Sequence, residues 1–197
     1  MKFKVLFFLF FLQFIYSQET ENKNLVKFNH DIRFNAIVPL NFGANFLNES
    51  NDSNVGVGTN FSFLRIDNFK LGAGYDFIYY TTSDITRAGN VNGAALHTFY
   101  GDVSYEIKVL EKLNIEPYFG FGGAELKFRS TGRNFGKQTG NNLRIGFNTD
   151  YKLAKRLSAF VGVCYSHYNL DINTSPEFVS FYDNAKMIQI NIGLKIH

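Results

Sequence analysis

The sequence predicts an all-β fold, an eight-stranded antiparallel up-and-down transmembrane β-barrel, from three observations. Eight stretches alternate apolar and polar residues too regularly for a helix template. The connections between them alternate long, short, long, short. The apolar phase carries Phe and Tyr at both ends of the strands, and the opposite phase mixes charge with Gly. That is the pattern of a lipid-facing wall with aromatic girdles around a narrow polar lumen.

Composition bounds the alternatives. A chain of 197 residues is one domain by length. Aromatics at 17%, with 23 Phe, 11 Tyr and no Trp, are high for a soluble globule, while 17 Gly and 3 Pro suit long strands. A formal charge of +3 on scattered basic residues argues against a nucleic-acid partner. One cysteine, Cys164, excludes an internal disulfide framework and a cysteine zinc cluster. His30, His97, His167 and His197 are scattered and form no metal-binding motif, so no metal and no cofactor are expected.

The N-terminus reads as an export signal. Lys2 and Lys4 precede an apolar run from Val5 to Tyr16, broken by Gln13, and Ser17-Gln18 follow as the cut site. The run is shorter than the ~20 residues of a spanning helix, and no cysteine follows it to make a lipoprotein. Residues 1–17 are therefore expected to be a cleaved signal peptide, 18–29 a flexible periplasmic lead and 30–197 the barrel. Loss of Lys2 and Lys4 takes the charge from +3 to +1.

The strands follow in order. The first, about Asp31 to Phe46, alternates Ile32, Phe34, Ala36, Val38, Leu40, Phe42, Ala44 and Phe46 with Arg33, Asn35, Asn41 and Asn45; Pro39 predicts a local irregularity. Asn48 to Asn54 is a polar loop. The second strand, Val55 to Phe63, turns at Asp67-Asn68 into a third, in which Phe69, Leu71, Ala73, Tyr75, Phe77 and Tyr79 face out and Lys70, Gly72, Gly74 and Asp76 face in. Thr82 to Ala95 reads as a long loop. The fourth strand, Leu96 to Val109, points Tyr100, Asp102, Ser104, Glu106 and Lys108 inward. The fifth, Leu113 to Phe128, points Asn114, Glu116, Tyr118 and Gly120 inward, with a bulge expected near Gly123. Arg129 to Asn141 reads as a long loop. The sixth strand, from Leu143 to Leu153, has Arg144, Asn148, Asp150 and Lys152 inside, and the seventh carries Leu157, Ala159, Val161, Val163 and Tyr165 outward. Asn173 to Asn184 is the last long loop. The eighth strand, Ala185 to His197, alternates Ile188, Ile190, Ile192, Leu194 and Ile196 with Gln189, Asn191, Gly193 and Lys195.

Short turns after even strands and long loops after odd ones put both termini on the short-turn, periplasmic side. A soluble lipocalin-like barrel has the same alternation with its faces inverted, apolar inside and polar outside, and remains the alternative at this point.

The signal peptide, the Phe119-Gly120-Phe121-Gly122-Gly123 strand and the closing Asn191-Ile192-Gly193-Leu194-Lys195 strand resemble the outer-membrane β-barrel domain family of Gram-negative bacteria, OmpA/OmpX-like in architecture. The resemblance spans the whole mature chain and implies fold and location: the cell outer membrane, with outer-membrane lipid, lipopolysaccharide and the barrel-assembly machinery as partners. It brings no shared catalytic residues. Members usually end on an outward aromatic residue, whereas here Ile196 holds that phase and His197 follows.

The candidate functional residues are a lumen polar network of Arg33, Asp76, Asp102, Glu106, Lys108, Glu116, Arg144, Asp150 and Lys152. Opposite charges in so narrow an interior must pair to offset desolvation. No catalytic activity is expected. Ser166-His167 with Glu177, or His97, supply residue types for acyl transfer to lipid A, but adjacent strand residues face opposite sides. The role implied is structural or surface-interacting, through the long loops, with an extracellular or periplasmic protein partner. The rivals are a secretion-accessory barrel resembling the PorT-like group, a lipid A-modifying enzyme and the soluble ligand-binding barrel.

Overall fold

A computed structural model describes residues 26–88, 91–130, 133–172 and 176–197. The expected signal peptide and residues 18–25 of the lead lie outside the described residues. The elements are β1 (Val26–Phe42), α1 (Phe46–Glu49), β2 (Asn51–Ser53), β3 (Gly56–Ile66), β4 (Phe69–Thr82), α2 (Ile85–Ala88), β5 (Gly93–Tyr105), β6 (Ile107–Lys108), β7 (Leu113–Ser130), β8 (Arg133–Ala154), β9 (Leu157–Leu170), α3 (Pro176–Tyr182) and β10 (Asn184–Ile196).

Eight long strands pair antiparallel with their neighbours, and β1 closes the sheet by pairing with both β3 and β10. The short β2 extends the wall above β3 against β4, and β6 continues β5 against β7. Closure removes every long sheet edge, which is what allows strands to stand in hydrocarbon with their backbone polar groups satisfied. The outer surface decides between the two barrels. Phe34, Val57, Phe99, Phe119, Phe121, Ile145, Val161 and Ile192 are each more than half exposed and all face out, an arrangement stable against lipid and not against water. The protein is a transmembrane β-barrel, and no helix among the described residues is long and apolar enough to cross a membrane.

Several local expectations are corrected. β1 begins at Val26, inside the expected lead, and Val26 to Phe28 pair with Ile66 to Leu64. Its irregularity falls between Phe28 and Asp31, while Pro39 stays in register opposite Gln189. The β1–β3 ladder has already ended at Ile37↔Gly56, and the Pro39 carbonyl accepts from Ser53 Oγ at 3.1 Å on that open side. The nitrogen of the same strand residue faces the same way, so its missing N–H interrupts no ladder.

Phe46 does not end the first strand's outer face. The chain turns at Gly43, whose φ of +87° is left-handed, into α1, where Phe46 and Leu47 are buried. Asn45 caps α1, its side chain accepting from the Asn48 backbone N–H.

The bulge expected near Gly123 is absent, because Gly123↔Asn141 is in register. The shift comes between Phe128 and Arg129. Residues Arg129 to Asn141 are not a free loop: their strands continue to the Ser130↔Arg133 pair as an extended hairpin. What changes near Gly123 is chemistry, not phase. Below it the inward residues are Glu116, Tyr118 and Gly120; above it they are Ala124 and Leu126, with Glu125 and Lys127 now outside.

Candidate functional site

The inward phase of the lower barrel gathers a dense ionic cluster. Glu116 on β7, fully buried, accepts from Arg33, from Lys195 at 3.0 Å and from Ser104 Oγ at 2.9 Å. Asp150 on β8 takes Lys195 at 2.6 Å and Arg33 at 3.4 Å. Asp31 takes Lys70 at 3.1 Å. Three cations thus face three carboxylates where solvent does not reach. Lys70 extends the set outward to Glu106 at 2.5 Å, which also accepts from Arg65 at 2.9 Å.

One layer higher, Arg144 donates to Asp76 at 2.8 Å and to Gln189 Oε1 at 2.9 Å. Its guanidinium lies 3.7 Å from the centroid of the Tyr100 ring, a favourable cation–π geometry. Asp102 accepts from Asn60 at 2.6 Å. Glycines on facing strands make this stack fit. A Cβ on Gly74 would sit 2.3 Å from the Tyr100 ring, and one on Gly120 would sit 2.8 Å from Arg144 Cγ. The free space left between the two layers is about 30 Å³, the room of roughly one water molecule.

Of the nine residues expected in the lumen, Arg33, Asp76, Asp102, Glu116, Arg144 and Asp150 are brought together in these two layers. Glu106 stands at the edge of the lower one. Lys108 and Lys152 are exposed and line the lower mouth with Lys112 and Lys155; so near the strand ends, four-carbon stems reach water at little cost, and the ammoniums stay solvated. Sequence reasoning missed Lys70 and Lys195, the most buried cations of the set at 1% and 0% exposure, together with Asp31 and Gln189. The signal was present: Lys70, Lys195 and Gln189 occupy the inward phase. His197 also belongs here, its ring bonded to Ser158 Oγ at 2.9 Å and to Asp31 Oδ1 at 3.0 Å.

Above the ionic layers the interior becomes apolar. Ile37, Ile78, Tyr80, Leu96, Leu126 and Met187 point inward with at most 1% exposure. The four long connections close over this core as a folded headpiece. Phe46 of α1 packs edge-on against Phe128 of β7 at 5.5 Å and against Phe181 of α3 at 6.4 Å, and it meets Tyr182 at 5.4 Å. Tyr182 donates its hydroxyl to the Arg87 carbonyl of α2 at 2.9 Å. Arg87 in turn pairs with Glu49. The Asn92 N–H donates to the Arg129 carbonyl at 2.8 Å, and the Asp171 N–H to that of Thr139 at 2.7 Å. A cleft of about 1010 Å³ opens between these loops.

Of the residues weighed for acyl transfer, Ser166 is fully buried beside Cys164. His167 points to the other side of the wall, and His97 bonds Tyr75 OH at 2.8 Å on the outer face.

Closed topology, apolar exterior and filled lumen define an eight-stranded transmembrane barrel of the outer-membrane type. Among solved structures the chain is similar to Neisserial surface protein A, with 12% identity over 84% of this chain and 95% of that one and a TM-score of 0.59. It is also similar to the outer membrane protein AlkL, determined in DMPC lipid bilayers, with 13% identity over 91% and 94% of the two chains and a TM-score of 0.50. No family model matches the chain, and no curated protein does either.

Proposed function

We propose that the protein resides in the outer membrane as a closed barrel without catalytic activity. Its role is structural or surface-interacting, exercised through the headpiece of long loops on the extracellular side. The observation that carries this reading is the filled interior: two ionic layers with about 30 Å³ between them, under an apolar core whose buried residues are at most 5% exposed. A side-chain-filled lumen serves as a scaffold rather than a conduit, and recognition then falls to loops held by a rigid frame. Lipid and lipopolysaccharide surround the belt, the assembly machinery inserts it, and an extracellular or periplasmic protein is the partner that the scaffold reading calls for. The Ser166-His167 pair offers no nucleophile with its base, since the two lie on opposite faces of the wall.

Planar-bilayer recordings test the closed lumen: no unitary current is expected, and discrete steps from pure protein would overturn it. Lipid A mass spectra unchanged on expression are expected; a new acylation state would replace this reading with an enzymatic one. Heat-modifiable migration from outer-membrane fractions checks the location.

A further inference from the structure

The mouth at the short-turn end is built unlike the rest of the interior. A chamber of about 250 Å³ opens there, walled in part by Lys108 of β6, Lys112 of the following turn, Lys152 of β8 and Lys155 of the next turn. The Lys152 N–H donates to the Lys112 carbonyl at 2.8 Å, which sets those two residues side by side. The four buried cations of the lumen, Arg33, Lys70, Arg144 and Lys195, are all paired with carboxylates. Lys108, Lys112, Lys152 and Lys155 have no such partner among the described residues.

The carboxylates of the walls do not balance these lysines. Glu106 is taken by Lys70 and Arg65, and Asp150 by Lys195 and Arg33. Glu111 and a terminal carboxylate on His197 remain, two negative charges against four lysines. Beside the chamber, Lys27 opposite Arg65 and Arg156 bonded to the His197 N–H outnumber Asp67. The headpiece is arranged differently, with Arg87 set against Glu49 and Asp84, and Lys127 and Lys137 against Glu125. Like charges converging on one concavity repel one another and focus a positive potential into it. A multivalent anion relieves that repulsion.

The donors and the shape define its chemistry. An ammonium offers three N–H donors and no acceptor, so four of them suit a ligand dense in acceptor oxygens. Phosphoryl groups are of that kind, and lysine binds them as a point charge. A chamber of about 250 Å³ lies below the ~300 Å³ at which drug-sized sites begin, so the ligand is small. Lys108 and Lys152 stand in the inward phase, while Ile107, Tyr151 and Leu153 on the same strands face lipid. The barrel wall therefore separates the chamber from the headgroups.

From the uncompensated lysines, their convergence on one concavity and their inward phase, we propose that the short-turn mouth binds a small soluble polyanion bearing two or more phosphoryl groups, held by Lys108, Lys112, Lys152 and Lys155. The lower ionic layer closes the inner end of the chamber, so the ligand is held and not passed through. This goes beyond the role proposed for the headpiece, which lies at the other end, and is independent of it.

Purified barrels in phosphatidylcholine nanodiscs, which leave both ends open to solvent, are titrated calorimetrically with inorganic tripolyphosphate. The buffer holds about 0.1 M salt, which screens attraction beyond about 10 Å. One saturable site per barrel is expected. Lys108→Gln/Lys152→Gln should weaken it about tenfold, whereas Lys127→Gln/Lys137→Gln, which removes the same charge at the other end, should leave it unchanged. Equal weakening by the two pairs would reduce the effect to net charge and remove the site, as would heats that never saturate. Lys108 and Lys152 are exposed, and the heat-modifiable band reports whether the variant has folded; Lys112→Gln/Lys155→Gln serves where it has not. Anionic phosphatidylglycerol added to the disc distinguishes the source. The ratio of wild-type to Lys108→Gln/Lys152→Gln affinity, in which repulsion from the bilayer cancels, should persist; a ratio that collapses to one would give the chamber to lipid headgroups and overturn the soluble ligand.

Discussion

At the scale of single residues, the lumen is a problem in charge balance. Glu116 faces Arg33, Lys70 and Lys195, so Glu116→Gln leaves buried cations short of a counter-charge. A loss of about 3–5 kcal/mol is expected on breaking such a set, measured as a lower urea midpoint for the folded, heat-modifiable band. The double variant Glu116→Gln/Lys195→Met restores equality between cations and carboxylates and should recover part of the loss. A double variant weaker than the single one would show that packing, not charge, governs the layer. His197 is a smaller case: two side-chain bonds tie it to β9 and β1, so His197→Ala should lower folding yield by the worth of about 1 kcal/mol per bond, with no change in the headpiece. Much of this was legible in the sequence, because a strand's period of two assigns each side chain to a face. Lys195 stands in the inward phase of the closing strand, but only the three-dimensional ring of strands brings it beside Asp150.

At the scale of elements, the strands were legible and the loops were not. The short turns fall where Asp67-Asn68 and the Ala154–Arg156 region suggest. The long connections carry helices and an extended hairpin whose apolar residues sit in the inward phase. Leu126 and Phe128 therefore break the pattern of the membrane strand below them, and the break reads in sequence as a bulge near Gly123. Their partners, Phe46 and Tyr182, lie far away in sequence and meet only in the folded headpiece. Phe46→Ala should cost the headpiece about 3–5 kcal/mol. Limited proteolysis should then cut within the loops while the barrel core persists; a core that unfolds with them would contradict this separation. α2 offers a pH test. The Thr86 hydroxyl, bonded to the Asp84 carboxylate at 2.5 Å with the Thr86 N–H at 2.9 Å, holds that carboxyl below its usual range. A carboxyl lowered in the folded state lends its support above the unfolded value and loses it as pH falls through the lowered one. The Thr86 amide resonance should accordingly titrate below the usual aspartate value; a midpoint at that value would show the cap to be absent in solution.

For the molecule as a whole, one continuous set of strands serves two solvents. Along β8, Leu143, Ile145, Phe147, Tyr151 and Leu153 face lipid over eleven residues, which at ~3.4 Å per residue and a tilt of about 40° spans roughly 29 Å, close to the thickness of a hydrocarbon core. The ten residues from Arg133 to Asn142 continue the same strand beyond it. By the same arithmetic, the tip of the β7–β8 hairpin stands about 26 Å clear of the belt. It is a mast rooted in the bilayer, long enough to lift what it carries above the lipid headgroups. A macromolecule too bulky to reach the membrane surface can touch Gly136 at the tip, and trimming the mast to its root would remove that reach without unseating the barrel.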